Sequence, residues 1–341
     1  MNAPPATFEE MRRVLRDLPG PDLEAQTAIV RRQAELTKPP GSLGRLEEIA
    51  EWLGCWQGRA HPRVERARIA VFAGTHGVAR RGVSAYPPQV TQQMVQNFLK
   101  GGAAINQLAA AIDADLRIYE LDLAHPTEDF TRGSAMSEDR AARAMAYGMM
   151  AVEPGIDVLC LGEMGIANTT SAAALCAALF GGAGADWAGP GTGVSGSALS
   201  HKITVIDEAL ARHKKAIAEH DPLALLAALG GEEFAAIAGA VLAARMGRIP
   251  VLLDGFACTA AAAVLHALDR RALDHCRVAH RSAEPGHKRL LEAIGQRPLL
   301  DLDMRLGEAS AAALAVPMLK AAVACHNGMA TFAEAGVSGK A

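Results

Sequence analysis

Through the middle of the chain, short apolar runs alternate with longer stretches of helical period. Runs at 68–74, 116–121, 156–162, 249–255 and 276–280 are rich in Val, Ile, Leu and Ala, and several close on a glycine. Between them, residues 91–111, 168–180, 232–246, 259–268 and 286–294 repeat their apolar positions at helical spacing. Unbroken apolar strands separated by helices predict βαβ units and a mostly parallel sheet covered on both faces. Residues 1–60 read as helices with charged outer faces. They are interrupted by Pro19-Gly20-Pro21 and by a turn at 38–45 that leads into an amphipathic helix over 46–56. After residue 308 the pattern is helical again, with Pro317 marking a kink. The expected fold is therefore α/β, Rossmann-like in its layers, with a small helical domain assembled from both termini. The segments are 1–60 (helical), 61–307 (α/β) and 308–341 (helical, starting at the active site).

Composition narrows this picture. Hydrophobic residues make up 50% of the 341 and aromatic ones only 4%, so the core must be built from aliphatic side chains; the 33 glycines permit close helix packing. Lys and Arg total 34 against 37 Asp and Glu, with no block of one sign. A nucleic-acid partner is not expected, since that calls for a basic face. No apolar run is long enough to span a bilayer, and the start lacks the basic and apolar pattern of a signal peptide, so a cytoplasmic protein without membrane contact is expected. The six cysteines lack paired spacing and read as reduced, mostly buried thiols.

Candidate chemistry gathers at the strand ends. Segments 74–77, 162–165, 254–255 and 280–282 each follow an apolar run, and in open α/β sheets ligands bind beyond the carboxyl ends of the strands. The stretch GEMGIANTT at 162–170 places Glu163, Gly165, Asn168 and Thr169 where small residues, hydroxyls and helix-start N–H groups make an anion site. A second glycine-rich turn at 189–196, containing Gly191 and Gly193, precedes a helix carrying Lys202, a point charge suited to the same phosphate. The plainer alternative for each is a tight turn with an ordinary helix cap. In the loop after His76, Ser84, Tyr86, Gln92 and Met94 can line a pocket for a flat heteroaromatic ring, or simply form a capped loop that starts a helix. Glu308, within Arg305-Leu306-Gly307-Glu308, opens an alanine-rich helix. A carboxylate there is a candidate general base, drawn down in pKa by helix N–H groups and up by burial, or it is ordinary first-turn punctuation.

His76, His280, His287 and His326 fall in or near glycine-rich loops but show no metal-ligand spacing, and no metal is expected. Asp301-Leu302-Asp303 alternates like a strand end. It raises the thought of a calcium-dependent ribohydrolase, for which further acidic ligands are missing nearby.

Taken in order, LTKPPGSLGRLE, THGVARRGVSAYPPQVTQQMVQNFLKGGAAIN, GEMGIANTT and RLGEASAAALAVPMLKAA resemble the nicotinate-nucleotide:dimethylbenzimidazole phosphoribosyltransferase family of cobalamin assembly, over about residues 36–336. The resemblance implies transfer of phosphoribosyl from nicotinate mononucleotide to a benzimidazole-type base, with inversion at C1′ and without a cofactor. It places the family's catalytic glutamate on Glu308 and a second glutamate on Glu163. Its phosphate-site lysine falls on Lys202, and its base-pocket residues on Ser84, Tyr86, Gln92, Met94 and Leu306. Ala167 stands where the family often has glycine. A homodimer is implied as well. An N-ribosyl hydrolase and a non-catalytic nucleotide-binding protein are the competing readings.

Overall fold

The structure, a computed structural model, describes residues 7–338. Residues 1–6 and 339–341, the outer ends of the two expected helical segments, lie outside the described residues. Five strands, β1 (Ala67–Ala73), β2 (Asp115–Glu120), β3 (Val158–Met164), β4 (Val251–Leu253) and β5 (Cys276–Val278), form one sheet in the order β2-β1-β3-β4-β5. Every pairing is parallel, as the apolar runs predict. After β1 the chain builds outward to β2, then returns to the other side of β1 with β3. At this reversal the chain leaves β1 and β3 toward opposite faces of the sheet, the place where open α/β sheets take their ligands.

Side chains alternate between two apolar layers, because successive residues of a strand face opposite ways. Ala70, Phe72, Leu159, Leu161, Val251 and Leu253 belong to one core. The helices Glu138–Met149, Asn168–Phe180, Glu232–Met246 and Phe256–Leu268 cover that face. Ile69, Val71, Cys160 and Leu252 belong to the other, under the helices Arg45–Gln57, Ala104–Ile112 and Ser310–Gly328. The chain ends thus meet on one sheet face, where Arg32 donates to the carbonyls of His326, Asn327 and Met329. The first helix, Phe8–Arg16, contributes Phe8, Met11 and Leu15 to the opposite core. Scarce aromatics are compensated by close approach. A Cβ on Gly148 would stand 1.8 Å from the Ala236 carbonyl oxygen and one on Gly239 1.9 Å from that of Met145, so the two helices cross backbone to backbone.

Several local expectations are corrected. The 91–111 stretch is two helices, Val90–Leu99 and Ala104–Ile112. Gly101 adopts φ +79 between them, and the Asn106 side chain accepts the Ala103 N–H and donates to the Phe98 carbonyl. The helical period continues across the break, which hid it. The third strand runs to Met164 rather than stopping at Gly162, pairing Phe72 with Glu163, so Glu163 stands on the sheet and not in the loop. Asp301-Leu302-Asp303 is exposed coil; the bridge to His280 is made by Leu300. Pro317 lies inside the Ser310–Gly328 helix, within the helical stretch expected after residue 308. The cysteines agree with expectation: all six are free thiols, five of them buried.

Candidate active site

Glu163 is the penultimate residue of β3, with its carboxyl deep among protein groups although the residue keeps some exposed surface. Burial pushes this carboxyl up to about 8, with the neighbouring charge of Asp254 adding to the rise and a hydrogen bond from the Asn168 amide opposing it. The Glu163 carbonyl accepts the Glu308 N–H at 3.1 Å, which lays the 307–309 turn across the end of the strand. Room for that turn comes from Gly162, where a Cβ would stand 2.0 Å from the Ala309 nitrogen.

Gly307, Glu308 and Ala309 have φ of +86, +62 and +61. Left-handed backbone at a residue bearing a Cβ costs roughly 1–3 kcal/mol each and persists only where surroundings enforce it. The enforcement is visible. The helix begins at Ser310, and its Ala311 and Ala312 N–H groups both donate to Asp254 Oδ1, at 2.8 and 3.0 Å. The carboxylate at this helix start is therefore Asp254, not Glu308, which corrects the expectation that helix N–H groups hold Glu308. Glu308 is 4% exposed, and its Oε2 has no hydrogen-bond partner among the described residues. Burial raises its pKa, and the Ile105 N–H, at the start of another helix, draws it partly back. Asp254, fully buried, is pushed up to about 7 by burial, against its two helix N–H bonds and with the charge of Glu308 raising it further. Three acidic groups this close do not all ionise together.

Beneath them His76 Nε2 lies 2.5 Å from Glu233 Oε1, both side chains fully buried. Gly74, Gly165 and Gly231 enclose this pair, since a Cβ on Gly74 or Gly231 would stand 2.3 and 2.4 Å from it, and one on Gly165 3.0 Å. The other histidines singled out in the sequence are engaged separately. His287 Nδ1 accepts the Ser282 N–H and its Nε2 faces the Thr259 hydroxyl; His326 bridges Gln33 and the Ala60 carbonyl; His280 is buried beside Gly255. Among the described residues no group of three or more His, Cys, Asp or Glu is arranged so that it could hold a metal ion.

The second cluster lies around the 189–196 turn. Lys202, 1% exposed in the Gly196–Arg212 helix, donates to Thr169 Oγ1 and to the Gly189 carbonyl, each at 2.9 Å. Burial draws its pKa down to about 8, with the charge of Glu284 opposing. An ammonium has three donors, so one remains beyond these two bonds. Gly191, at φ +52, has no room for a side chain, because a Cβ would stand 2.5 Å from Thr169 Oγ1. Its N–H goes to Glu284, and the Gly193 N–H goes to the Pro190 carbonyl. Two other loops grip the turn. Ser84 Oγ lies 2.8 Å from Thr192 Oγ1, and Arg305 donates to the Gly191 carbonyl at 2.7 Å.

Glu163 near the end of the third strand, Asn168 and Thr169 at a helix start, Lys202 inside a helix, and Gly165, Gly191, Ser84 and Glu308 on loops are thus linked through the contacts above. Tyr86 and Leu306 are 55% and 56% exposed, Gln92 is exposed, and Met94 is half-buried against the core. Sequence reasoning singled out the strand end that carries Asp254 but gave that residue no role, and gave none to Glu233, Glu284, Arg305 or Thr91, whose hydroxyl accepts the Ile166 N–H. The signal for Asp254 was a carboxylate directly after an unbroken apolar strand. Glu233 and Glu284 look like ordinary helix-start acids.

A family model described as phosphoribosyltransferase matches residues 18–337. The nicotinate-nucleotide–dimethylbenzimidazole phosphoribosyltransferase of Rhizobium etli is 57% identical over 98% of both chains. The chain belongs to this family. The Brucella anthropi protein of the same name is 53% identical over 99% of both chains. A crystal structure of the phosphoribosyltransferase of that name from Thermus thermophilus superposes with a TM-score of 0.86 at 41% identity, covering 94% of this chain and all of that one. The chain is accordingly a phosphoribosyltransferase of cobalamin biosynthesis with an α/β fold, and no helix among its described residues is long and apolar enough to cross a membrane.

Titration of the cluster has a consequence for stability. Unfolded, Glu163 releases its proton near pH 4, whereas folded it keeps it to about 8. Between those values the folded chain holds the extra proton, so rising pH favours unfolding through this group. Buried histidines with lowered pKa act in the opposite sense below about pH 6.5, and the comparison must therefore be differential. Glu163→Gln is expected to gain stability relative to the wild type as pH rises from about 5 to about 9. Urea unfolding of both proteins across that range measures this, and a constant difference would show that Glu163 ionises normally.

Proposed function

We propose that the enzyme transfers the phosphoribosyl group of nicotinate mononucleotide to 5,6-dimethylbenzimidazole or a related base, releasing nicotinate and α-ribazole 5′-phosphate with inversion at C1′. The observation that carries the mechanism is Glu308, a buried carboxylate with one oxygen unpartnered among the described residues, held on a left-handed turn at the end of the central strand.

In nicotinate mononucleotide the ring nitrogen is already cationic, so it departs with the bonding pair as a neutral pyridine and needs no general acid. One benzimidazole nitrogen forms the new bond to C1′ while the other gives its proton to Glu308. Attack opposite the leaving group turns the β-anomer into the α-product. General-base help of this kind contributes about 10²- to 10⁴-fold, and alignment of the two reactants supplies much of the remainder. The environments separate the two glutamates. Glu163, pushed up to about 8, is largely protonated at neutral pH and can donate a hydrogen bond to the ribose, while Glu308 retains the Ile105 N–H to favour its ionised form. The free donor of Lys202 faces the phosphate, and Ser84, Tyr86, Gln92, Met94 and Leu306 surround the base.

Incubation with nicotinate mononucleotide alone and with dimethylbenzimidazole tests the reading. Nicotinate is expected only when base is present, in equal amount to a riboside phosphate whose anomeric proton reports the α-configuration by NMR. Rapid nicotinate release without base would replace transfer by hydrolysis.

A further inference from the structure

Glu284 takes no part in this chemistry, yet it is 4% exposed and lies against the phosphate turn. Its Oε1 accepts the Gly191 N–H at 2.8 Å, and its Oε2 has no hydrogen-bond partner among the described residues. That second oxygen lies 2.2 Å from where a Cβ on Gly189 would stand. On the other side of the same turn, the Gly189 carbonyl accepts from Lys202 Nζ. An amide of the turn is thus held by an anion and a carbonyl by a cation, each charge matched to the dipole it meets. Arg305 is the other cation facing this group; burial pushes the Glu284 carboxyl up, and the charge of Lys202, the Gly191 N–H and the charge of Arg305 oppose that rise.

We propose that Glu284 is a positioning residue which, together with Lys202, clamps the 189–191 turn in the shape that receives the nucleotide phosphate. The proposal rests on the assignment of this turn to the phosphate. A turn with Gly191 at φ +52 and Gly193 at φ +119 has wide conformational freedom when unclamped. Ordering it would then draw on substrate binding rather than being complete beforehand. Glu284 acts through hydrogen-bond geometry, so its effect belongs to nucleotide affinity and not to the bond-making step.

Initial rates with nicotinate mononucleotide varied at saturating dimethylbenzimidazole test this. Glu284→Ala is expected to raise KM for the nucleotide on the order of 10-fold to 100-fold, the range for losing a hydrogen bond to a charged group. The kcat should stay within about two-fold, because the bond-making step does not depend on the turn, and the KM for the base should move less than that for the nucleotide, because Ser84 reaches the turn only through Thr192. Glu284→Gln keeps an oxygen for the Gly191 N–H and is expected to restore most of the affinity. Should Glu284→Ala fail to fold, Gly189→Ala perturbs the same contact from the turn side and is expected to give the same KM-only signature. The proposal is overturned if nucleotide KM is unchanged in these variants, if kcat falls instead, or if Gln is as damaging as Ala. A wild-type enzyme inactive on nicotinate mononucleotide would overturn the functional reading itself, a result separate from any of these.

Discussion

Glu308→Gln is expected to lower kcat by about 10²- to 10⁴-fold while leaving the KM for nicotinate mononucleotide within about two-fold. The substitution is nearly isosteric, and the contact that anchors this residue, its N–H to the Glu163 carbonyl, belongs to the backbone. The side chain can therefore lose its basicity with the left-handed turn intact. Wild-type activity should also show an acidic limb, because Glu308 acts only when ionised. Burial moves that limb above the ordinary range of a glutamate, and below it the base is protonated and turnover falls. In Glu308→Gln this limb should vanish. Steady-state rates from about pH 5 to 9 for both proteins decide the matter; near-normal kcat in the variant would remove Glu308 from the proton transfer.

Gly162→Ala should be nearly as damaging, although it adds one methyl group and changes no charge. The new Cβ would lie 2.0 Å from the Ala309 nitrogen, 2.5 Å from its Cα and 2.6 Å from its Cβ. These are atoms of a turn pinned by Glu163 and Asp254, not the end of a flexible side chain, so the turn itself must move. A displacement of the base of about 1 Å is enough to cost on the order of 10²-fold in turnover. Overpacking of this kind also costs roughly 1–3 kcal/mol of stability, measurable by urea unfolding. Gly133→Ala, where a Cβ meets nothing within 4 Å, is the control and should be close to neutral in both assays. Unimpaired activity in Gly162→Ala would mean that the turn tolerates displacement, and the strained geometry would then have no part in catalysis.

Sheet and motif positions were legible because the signals are local. An apolar run such as 69–73 can be buried on both faces only as a central strand, and every residue of β1 is buried. The glycine-rich stretches at 162–170 and 189–196 marked the strand end and turn that carry Glu163, Thr169 and Gly191. Boundaries were read less well where a local pattern runs past a structural break. Gly101-Gly102 interrupts a helix whose period continues on both sides, and Glu163 remains in the sheet through its pairing with Phe72.

By itself the sequence determined the parallel α/β order, the residue types at the strand ends and, by its motifs, the family. All of these depend on neighbours close along the chain or on runs of residues matched in order. Only the tertiary structure decided which carboxylate does what. Asp254 reaches the N–H groups of Ala311 and Ala312 across 57 and 58 residues of chain, and Glu284 reaches Gly191 across 93. Neither role was legible, because a carboxylate's pKa and partners are set by burial and by charges brought near in space, which no local pattern encodes. Glu308 shows both sides. Its position before an alanine-rich helix was evident from the chain, but the helix N–H groups expected to hold it belong to Asp254, leaving Glu308 buried, with one oxygen that has no hydrogen-bond partner among the described residues.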